Sequence, residues 1–403
     1  MNQKTLLLIS ALVLIGAGSL YFWYQSLQEN FSINVPDVIP SDELFPFGTP
    51  ANSSGNNTNQ EGTGSTGETS SPSAATNRPV AGFFLYENSS KEVVVRYTER
   101  ETGHTYDLPT KGGTTERITN TTIPKVREAI WLNKNRVVLR YLGNEDKIIS
   151  FLGEIKEATS TEGKITGSFL PENISSISPY KNGILYLLPG ESGSSLYTAA
   201  ADGSKKTSIY SSPLREWVPI TAGDTTLLLS KSSAYVFGYL YSLSGGVISR
   251  VSGPTPGLTT SSNQLSTKVL VAGYSGGGLS LSLKNLADGV ETPLAVSTFP
   301  EKCVFRKTKN EKGVSLESLI CAVPKSLPRT VYPDAWYRGE VSLDDEVFEI
   351  SLKDGVVSSL AAPDSVEGVV FDATNLSISP DGKVLGFIDK SSSRLFTLSL
   401  PSR

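Results

Sequence analysis

Residues 376–387 read LSISPDGKVLGF, and this stretch decides the fold. Apolar and polar residues alternate up to Ser379, as they do in a strand with one buried face. Pro380 cannot donate a ladder hydrogen bond, and Asp381-Gly382 is a dipeptide typical of tight turns between antiparallel strands. The apolar run after the turn therefore predicts the return strand of a β-hairpin.

A related hairpin and several similar strands occur earlier in the chain. Residues 176–179 read SISP, and a turn and an apolar strand follow them as they follow residues 377–380. Apolar strands of this kind begin at residues 92, 136, 183, 225, 268, 316 and 383, and a polar turn and a second strand follow each one. Their starts are 42–48 residues apart, except for a last interval of 67. A period in the forties with several strands per unit is typical of a β-propeller blade.

These repeats predict an all-β fold, a seven-bladed β-propeller over residues 80–403. The excess length of the last interval predicts an insertion at residues 324–345 rather than an eighth blade. A propeller must join its last blade to its first, or it exposes open sheet edges. We therefore expect residues near 76–81 to pair with the strand Arg394–Leu400. A last blade of three strands is the alternative.

The N-terminal residues predict a membrane anchor. Residues 5–24 read TLLLISALVLIGAGSLYFWY, which is twenty residues without a charge and long enough to cross a bilayer as a helix. Lys4 precedes this segment and the next charges are acidic, which favours a cytoplasmic N-terminus. Residues 1–24 are therefore predicted to form a single transmembrane signal-anchor helix, with the propeller outside the cytoplasm at the cell membrane. A cleaved signal peptide with small residues at Ala17, Gly18 and Ser19 is the alternative.

Residues 25–79 are predicted to form a flexible stalk. Prolines interrupt its first part, and 19 of the 26 residues 51–76 are Ser, Thr, Gly or Asn. Such a composition buries too little apolar surface to offset the entropy lost on ordering, so this linker is expected to be disordered.

The composition narrows the function classes. The chain has 403 residues with a single His, His104, and two Cys, so the ligands of the common zinc and iron–sulfur sites are missing. A catalytic triad would need His104, whose place in a polar turn favours a surface residue over a general base. Residues 80–403 carry no net charge, which excludes the basic surface of a nucleic-acid binder. We predict no catalytic residues, no metal, no cofactor and no enzymatic activity.

The two cysteines lie in apolar runs that are both predicted strands. If these strands pair as a hairpin, the sulfurs of Cys303 and Cys321 come within bonding distance. An exported domain allows oxidation, so we predict a structural disulfide. Two buried thiols are the alternative.

The predicted insertion contains the strongest candidate binding residues. Five of them lie within seven positions: Tyr332, Asp334, Trp336, Tyr337 and Arg338. Tyr, Trp and Arg are the residue types that dominate binding hot spots, so this segment predicts a binding site. The alternative is a loop folded onto its own blade, with Trp336 buried beneath it.

The segment 376–387 resembles the repeat of TolB-type, WD40-like propellers, whose core is Ser-Pro-Asp-Gly followed by an apolar strand. Residues 83–124 and the stretch 332–337 also resemble uncharacterised bacterial propeller proteins with one N-terminal membrane span. The resemblance implies a propeller and no particular activity. Unlike TolB, this sequence has a predicted membrane span and no separate N-terminal α/β domain.

The sequence therefore predicts a membrane-tethered extracytoplasmic propeller that acts as a binding or scaffold module of the cell envelope. Its expected partner is an envelope protein or glycan, and residues 5–24 are expected to contact the membrane. Two other function classes stay open: a propeller hydrolase acting on envelope glycans or peptides, and a structural subunit of a pilus or secretion assembly.

Overall fold

The computed structural model describes residues 72–156, 163–263, 266–276, 278–309, 312–361 and 370–401. All of them belong to the unit Gly67–Arg403. The predicted transmembrane segment and most of the predicted stalk lie outside these residues. Within the part of the chain that the structure describes, no helix is long and apolar enough to cross a membrane.

The strands of the described residues form seven antiparallel sheets of four strands each. A short strand, β1 (Ser73–Ala74), comes first, and the blades follow in chain order. Blade 1 comprises β2–β5 (Val80–Glu87, Val93–Glu99, Thr105–Pro109, Glu116–Arg117). Blade 2 comprises β6–β9 (Glu128–Asn133, Arg136–Leu142, Ile148–Lys156, Lys164–Phe169). Blade 3 comprises β10–β13 (Ser176–Tyr180, Gly183–Gly190, Gly193–Ala200, Thr207–Ser212). Blades 4 and 5 comprise β14–β17 (Trp217–Ala222, Thr225–Ser230, Phe237–Ser244, Val247–Pro256) and β18–β21 (Thr259–Ser262, Lys268–Ser275, Gly278–Asn285, Glu291–Pro293). Blade 6 comprises β22–β25 (Cys303–Lys309, Ser315–Pro324, Asp345–Ser351, Val357–Ala361), and blade 7 comprises β26–β28 (Ala373–Ile378, Val384–Asp389, Leu395–Ser399) together with β1.

Helical segments among the described residues are short. One α-helix, α1 (Asp334–Tyr337), lies between β23 and β24, and 3₁₀ turns occur at Asn144–Asp146 and Pro300–Lys302. The seven four-stranded sheets confirm the seven-bladed propeller that the repeats predicted. Each of the seven apolar strands found in the sequence is the second strand of a blade.

Apolar packing between neighbouring blades forms the core. Among the described residues, one cluster of buried apolar side chains lies at each of the seven interfaces between adjacent sheets. The second strand of a blade is therefore covered on both faces, and Val137, Val138 and Leu139 of β7 are all fully buried. Burial on both faces explains why these strands read as continuous apolar runs.

The first strand of each blade is the innermost. First strands of neighbouring blades contact one another, as β2 does with β6 and β10 does with β14. Pro179 and Pro219 lie within two of these strands, where one edge of the strand faces the axis and needs no ladder donor. The Ser178 hydroxyl donates to the Pro219 carbonyl and the Thr221 hydroxyl to the Pro179 carbonyl, which joins blade 3 to blade 4.

The turn at residues 379–384 shows why the Ser-Pro-Asp-Gly sequence specifies a hairpin. Gly382 has a φ of +72°, a left-handed conformation that favours glycine. The Ser379 hydroxyl accepts a hydrogen bond from the backbone N–H of Val384 at 2.9 Å and donates one to the Asp381 carboxylate. Both side chains therefore stabilise the turn that returns the chain to β27.

The ring closes through residues just before blade 1. Ser73 and Ala74 pair with Thr397 and Phe396 of β28, so β1 is the outer strand of the last blade. This strand lies a few residues before the predicted segment 76–81 and within the segment 25–79 that the sequence assigns to the stalk. The chain must still cross about 14 Å from the outer edge of blade 7 to the inner strand β2, which begins at Val80. Residues 75–79 are needed for that crossing.

Side chains secure the same junction. The Arg394 guanidinium donates through Nε to the Thr76 carbonyl at 2.9 Å, and the Thr76 hydroxyl accepts from the Leu395 N–H at 3.1 Å. Apolar side chains of blade 1, including Val80 and Leu85, pack against Val384 and Leu395 of blade 7.

Cys303 and Cys321 lie directly opposite each other on β22 and β23. The structure contains a disulfide between them that encloses a sequence separation of 18 residues. Both cysteines are buried in the cluster between blades 5 and 6.

Two truncated chains test the closing strand. A chain that begins at Val80 loses β1 and the Thr76 contacts, so its melting temperature should fall several degrees below that of a chain beginning at Pro72. Differential scanning calorimetry measures the difference. Equal melting temperatures would show that β1 contributes nothing to closure.

Reduction tests the disulfide. A cross-link that closes a loop of this length should stabilise the fold by about 3 kcal/mol, so a reductant should lower the urea midpoint of the chain. The variant C303A/C321A should begin with a lower midpoint and should not respond to the reductant. A reductant-insensitive midpoint in the unsubstituted chain would contradict the cross-link.

Candidate functional site

The insertion lies at the face of the propeller where blades are joined to one another. It occupies residues 325–344, between the end of β23 at Pro324 and the start of β24 at Asp345. In a four-stranded antiparallel blade, the loop between the second and third strands emerges at the same face as the connection to the next blade. We call this the connection face. The insertion therefore meets the connections that precede blades 5, 6 and 7.

The insertion is attached to several blades. The Tyr274 hydroxyl of blade 5 donates to the Thr330 carbonyl at 2.7 Å. The Asp334 carboxylate accepts a hydrogen bond at 2.8 Å from the backbone N–H of Ala234, which lies in the blade 4 loop between β15 and β16. The Trp336 carbonyl accepts a hydrogen bond from the Lys390 ammonium of blade 7. The insertion thus connects blades 4 to 7 across the connection face.

Two of its aromatic side chains are buried. Tyr332 and Trp336 belong to a separate apolar cluster with Leu279, Phe299 and Leu343. The Trp336 ring stacks on Phe299 with a centroid distance of 4.5 Å and an interplanar angle of 9°. This packing holds α1 against the body of the propeller.

A buried ionic cluster lies beneath Trp336. The Lys302 ammonium is within 2.5 Å of a carboxylate oxygen of Asp345 and of one of Asp372, and all three side chains are buried. The indole N–H of Trp336 donates to both oxygens of Asp372, at 3.1 and 3.0 Å, and the Leu343 N–H also donates to Asp372. We call Lys302, Asp345 and Asp372 the lysine cluster.

The lysine cluster has two carboxylates for one ammonium. Of the two, Asp345 accepts fewer hydrogen bonds than Asp372. One of its oxygens accepts from Lys302 and from the Ala373 N–H, whereas Oδ1 is buried without a hydrogen-bond partner. Burial raises the pKa of Asp345 to about 6, although Lys302 opposes the shift. Burial also lowers the pKa of Lys390, which attraction to Asp372 opposes.

Exposed apolar residues lie at the end of α1 and on the blade 4 segment next to it. Tyr235 is 72% exposed, Phe237 60% and Tyr337 45%, and Val236 between the first two is also exposed. The Asp334–Ala234 hydrogen bond brings the loop that carries Tyr235 next to α1. We call Tyr235, Val236, Phe237 and Tyr337 the aromatic patch. Arg338, which pairs with Glu340 at 2.6 Å, directly follows α1 and lies near Tyr235.

The structure separates the five residues that the sequence predicted as a binding site. Tyr332 and Trp336 are buried, and Asp334 anchors α1 to blade 4. Tyr337 is itself part of the aromatic patch, and Arg338 lies at the surface beside it. Sequence reasoning missed Tyr235, Val236 and Phe237, although three large apolar residues within a run of serines and glycine were a usable signal.

The described residues add no candidate metal site and no catalytic partner for His104. The described residues contain no group of three or more His, Cys, Asp or Glu side chains arranged to hold a metal ion. His104 follows the turn at residues 101–103, and its imidazole makes a 3.0 Å hydrogen bond with the Thr122 hydroxyl.

The fold and its recurring hairpin define a seven-bladed β-propeller, and solved structures similar to it include TolB and WD40 propeller domains. The putative TolB from Agrobacterium tumefaciens has a TM-score of 0.38 and 13% identity over 54% of this chain and 81% of that one. The resemblance to TolB-type, WD40-like propellers is confirmed at the level of fold. No protein-family model and no curated protein matches the chain.

Enzymes are also among the similar solved structures. The tricorn protease has a TM-score of 0.49 and 12% identity over 84% of this chain. This chain spans 35% of that protease's length. An oligogalacturonate lyase in complex with manganese has a TM-score of 0.43 and 12% identity over 80% of this chain and 97% of the lyase. Likeness at these identities shows the fold alone.

These neighbours correct one prediction. The lack of recognisable catalytic motifs predicted a chain without enzymatic activity. That prediction is wrong, since solved structures with a similar fold include a protease and a lyase. Catalytic side chains need not be neighbours in the sequence, so the absence of a linear motif does not exclude them.

The lysine cluster predicts a pH-dependent stability. Asp345 has a higher pKa in the folded chain than the ordinary value of 3.8, so its favourable contribution is complete below about pH 4 and is lost as the pH rises through about 6. Relative to the variant D345N, the unsubstituted chain should lose up to about 3 kcal/mol across this window. Urea unfolding at several pH values measures the difference. A difference that does not change with pH would contradict the buried, protonatable carboxyl.

Proposed function

We propose that this chain is a membrane-tethered, extracytoplasmic binding module that holds a protein or glycan of the cell envelope against the aromatic patch. Residues 5–24 would anchor it in the membrane, and the following linker would hold the propeller away from the bilayer.

The exposed aromatic patch is the observation that carries the proposal. Large apolar side chains that lie singly on a surface are ordinary, but adjacent ones mark interaction sites. Tyr235, Phe237 and Tyr337 come from two segments more than ninety residues apart, and the buried packing of α1 brings those segments together. A rigid support of this kind reduces the entropy lost on binding, because the contact residues are already placed.

The chemistry of the patch suits proteins and glycans. Tyrosine and phenylalanine rings contribute large contact areas with few rotatable bonds, and a tyrosine hydroxyl adds a polar contact at the rim. The neighbouring Arg338 supplies a guanidinium, which is also enriched in hot spots. Residues 80–403 carry no net charge, so contact area and shape are expected to select the partner more than long-range attraction.

The cysteine pair supports an extracytoplasmic location. Disulfides persist in oxidising compartments and are rare in the cytosol. The bond between Cys303 and Cys321 therefore agrees with the topology that the charges around residues 5–24 predict.

Retention of envelope components by the purified chain tests the proposed function. The chain should retain an envelope protein from a membrane extract, or a purified cell-wall polymer, and the two materials are tested separately. The variant Y235A/F237A/Y337A should bind the retained partner at least about tenfold more weakly, because truncated hot-spot residues typically cost more than 1 kcal/mol each. F169A, which removes an exposed aromatic ring from β9, is the matched control and should bind normally.

The possible results separate the function classes. Loss of retention in the patch variant alone supports the proposal and identifies the partner as protein or glycan. Equal retention by the patch variant and the unsubstituted chain would remove the patch from the binding surface. Cleavage of the retained material would favour a hydrolase, and co-purification with an assembled complex would favour a structural subunit.

A further inference from the structure

A second feature of the connection face lies where the ring closes. A cleft of about 600 Å³ lies between loops of blade 7 and blade 1 and the connection to blade 2. Its lining comes from four segments: Arg78-Pro79, Glu99-Arg100-Glu101, Lys125-Val126-Arg127 and Ser391-Ser392-Ser393. We call it the seam cleft. It does not include any residue of the aromatic patch.

Positive charge is concentrated at the seam cleft, although residues 80–403 as a whole have a net charge of zero. Four basic side chains line it, and Arg78 forms a 3.1 Å ion pair with Glu99. Within the described part of the chain, Arg100, Lys125 and Arg127 form no ion pair with a carboxylate. Glu101 is exposed at the cleft and makes no ion pair with these three cations. The lining therefore has two more basic than acidic side chains.

Arg100 is held in place without a neutralising partner. Its Nη1 donates to the Ser393 hydroxyl at 2.8 Å and its Nη2 to the Arg127 carbonyl at 3.3 Å. Its Nε is buried and has no hydrogen-bond partner. Burial and the neighbouring Arg127 lower the pKa of Arg100, as expected for cations held together without an anion. The cleft is thus preorganised for a negatively charged group.

We propose that the seam cleft binds a phosphate group carried by a small organic molecule such as a sugar phosphate. Guanidinium groups match the geometry of phosphate oxygens, and a lysine ammonium adds a mobile third contact. The volume of the cleft exceeds that of a free phosphate ion several-fold, which leaves room for an attached sugar or polyol. Three unpaired cations at one cleft in a neutral domain suit a single small anionic group better than a nucleic-acid backbone.

A bound phosphate would join the two ends of the ring. Arg100 and its neighbours belong to blade 1 and the connection after it, whereas Ser391–Ser393 belong to blade 7. A ligand that contacts both sides binds the closed ring and not the unfolded chain. Binding should therefore raise the melting temperature with ligand concentration.

Calorimetric titration and thermal unfolding of the full chain in detergent test the proposal, with glucose 1-phosphate, inorganic phosphate and glucose as probes at constant ionic strength. Glucose 1-phosphate should bind saturably and raise the melting temperature, and glucose should do neither. Binding of inorganic phosphate as tight as that of glucose 1-phosphate would assign the site to the free ion. The variant K125A/R127A should bind glucose 1-phosphate at least about tenfold more weakly, since it removes two charge-assisted contacts.

The controls separate this site from the aromatic patch. Lys125 and Arg127 are exposed and unpaired, so K125A/R127A should melt like the unsubstituted chain without ligand. R338A removes an exposed arginine elsewhere on the connection face, and Y235A/F237A/Y337A removes the patch, so both should bind glucose 1-phosphate normally. No saturable binding up to about 10 mM, or binding unchanged in K125A/R127A, would overturn the proposal whatever the fate of the patch.

Discussion

The structure depends on apolar packing between adjacent sheets. Each blade presents two faces to its neighbours, and one cluster of buried side chains lies at each of the seven interfaces of the described residues. No blade has a core of its own, so a ring that did not close would expose two large apolar faces. The cluster that contains Val80, Leu85, Val384 and Leu395 is the interface at which the first and last blades meet, and β1 and the Thr76 contacts secure it.

Closure of the ring determines which loops and connections lie next to one another on the connection face. Because every blade is antiparallel and has the same strand order, the blade-to-blade connections and the loops between second and third strands emerge together. The insertion of blade 6 can therefore reach the blade 4 loop through Asp334 and blade 7 through Trp336 and Lys390. The seam cleft arises from the same geometry at the junction of blades 7 and 1.

The two sides of the insertion have different physical roles. Its inner side buries Trp336 over the lysine cluster, where Lys302 faces two carboxylates and Asp345 keeps one oxygen without a partner. Polar groups buried in this way specify one docked position, because any shift of α1 would leave Asp372 without the Trp336 N–H. Its outer side places Tyr337 beside the exposed loop of blade 4. Asp345 and Asp372 both contact the Lys302 ammonium, and both are buried beneath Trp336.

Local sequence was sufficient for the blade count and the repeat. Strands buried on both faces read as apolar runs, and the Asp381-Gly382 turn has a conformation that few other residue pairs adopt, so both appear as patterns along the chain. The opposition of Cys303 and Cys321 also follows from hairpin register. The tertiary structure alone decided which aromatic residues of the insertion are buried, because Tyr332 and Trp336 pack on Phe299, a residue of another segment. It also decided that Tyr235 and Phe237 lie beside α1, and that Arg100, Lys125 and Arg127 share a cleft with Ser391–Ser393. These groupings join residues tens to hundreds of positions apart, and the packing of complete blades around a closed ring determines their distances, which no local propensity encodes.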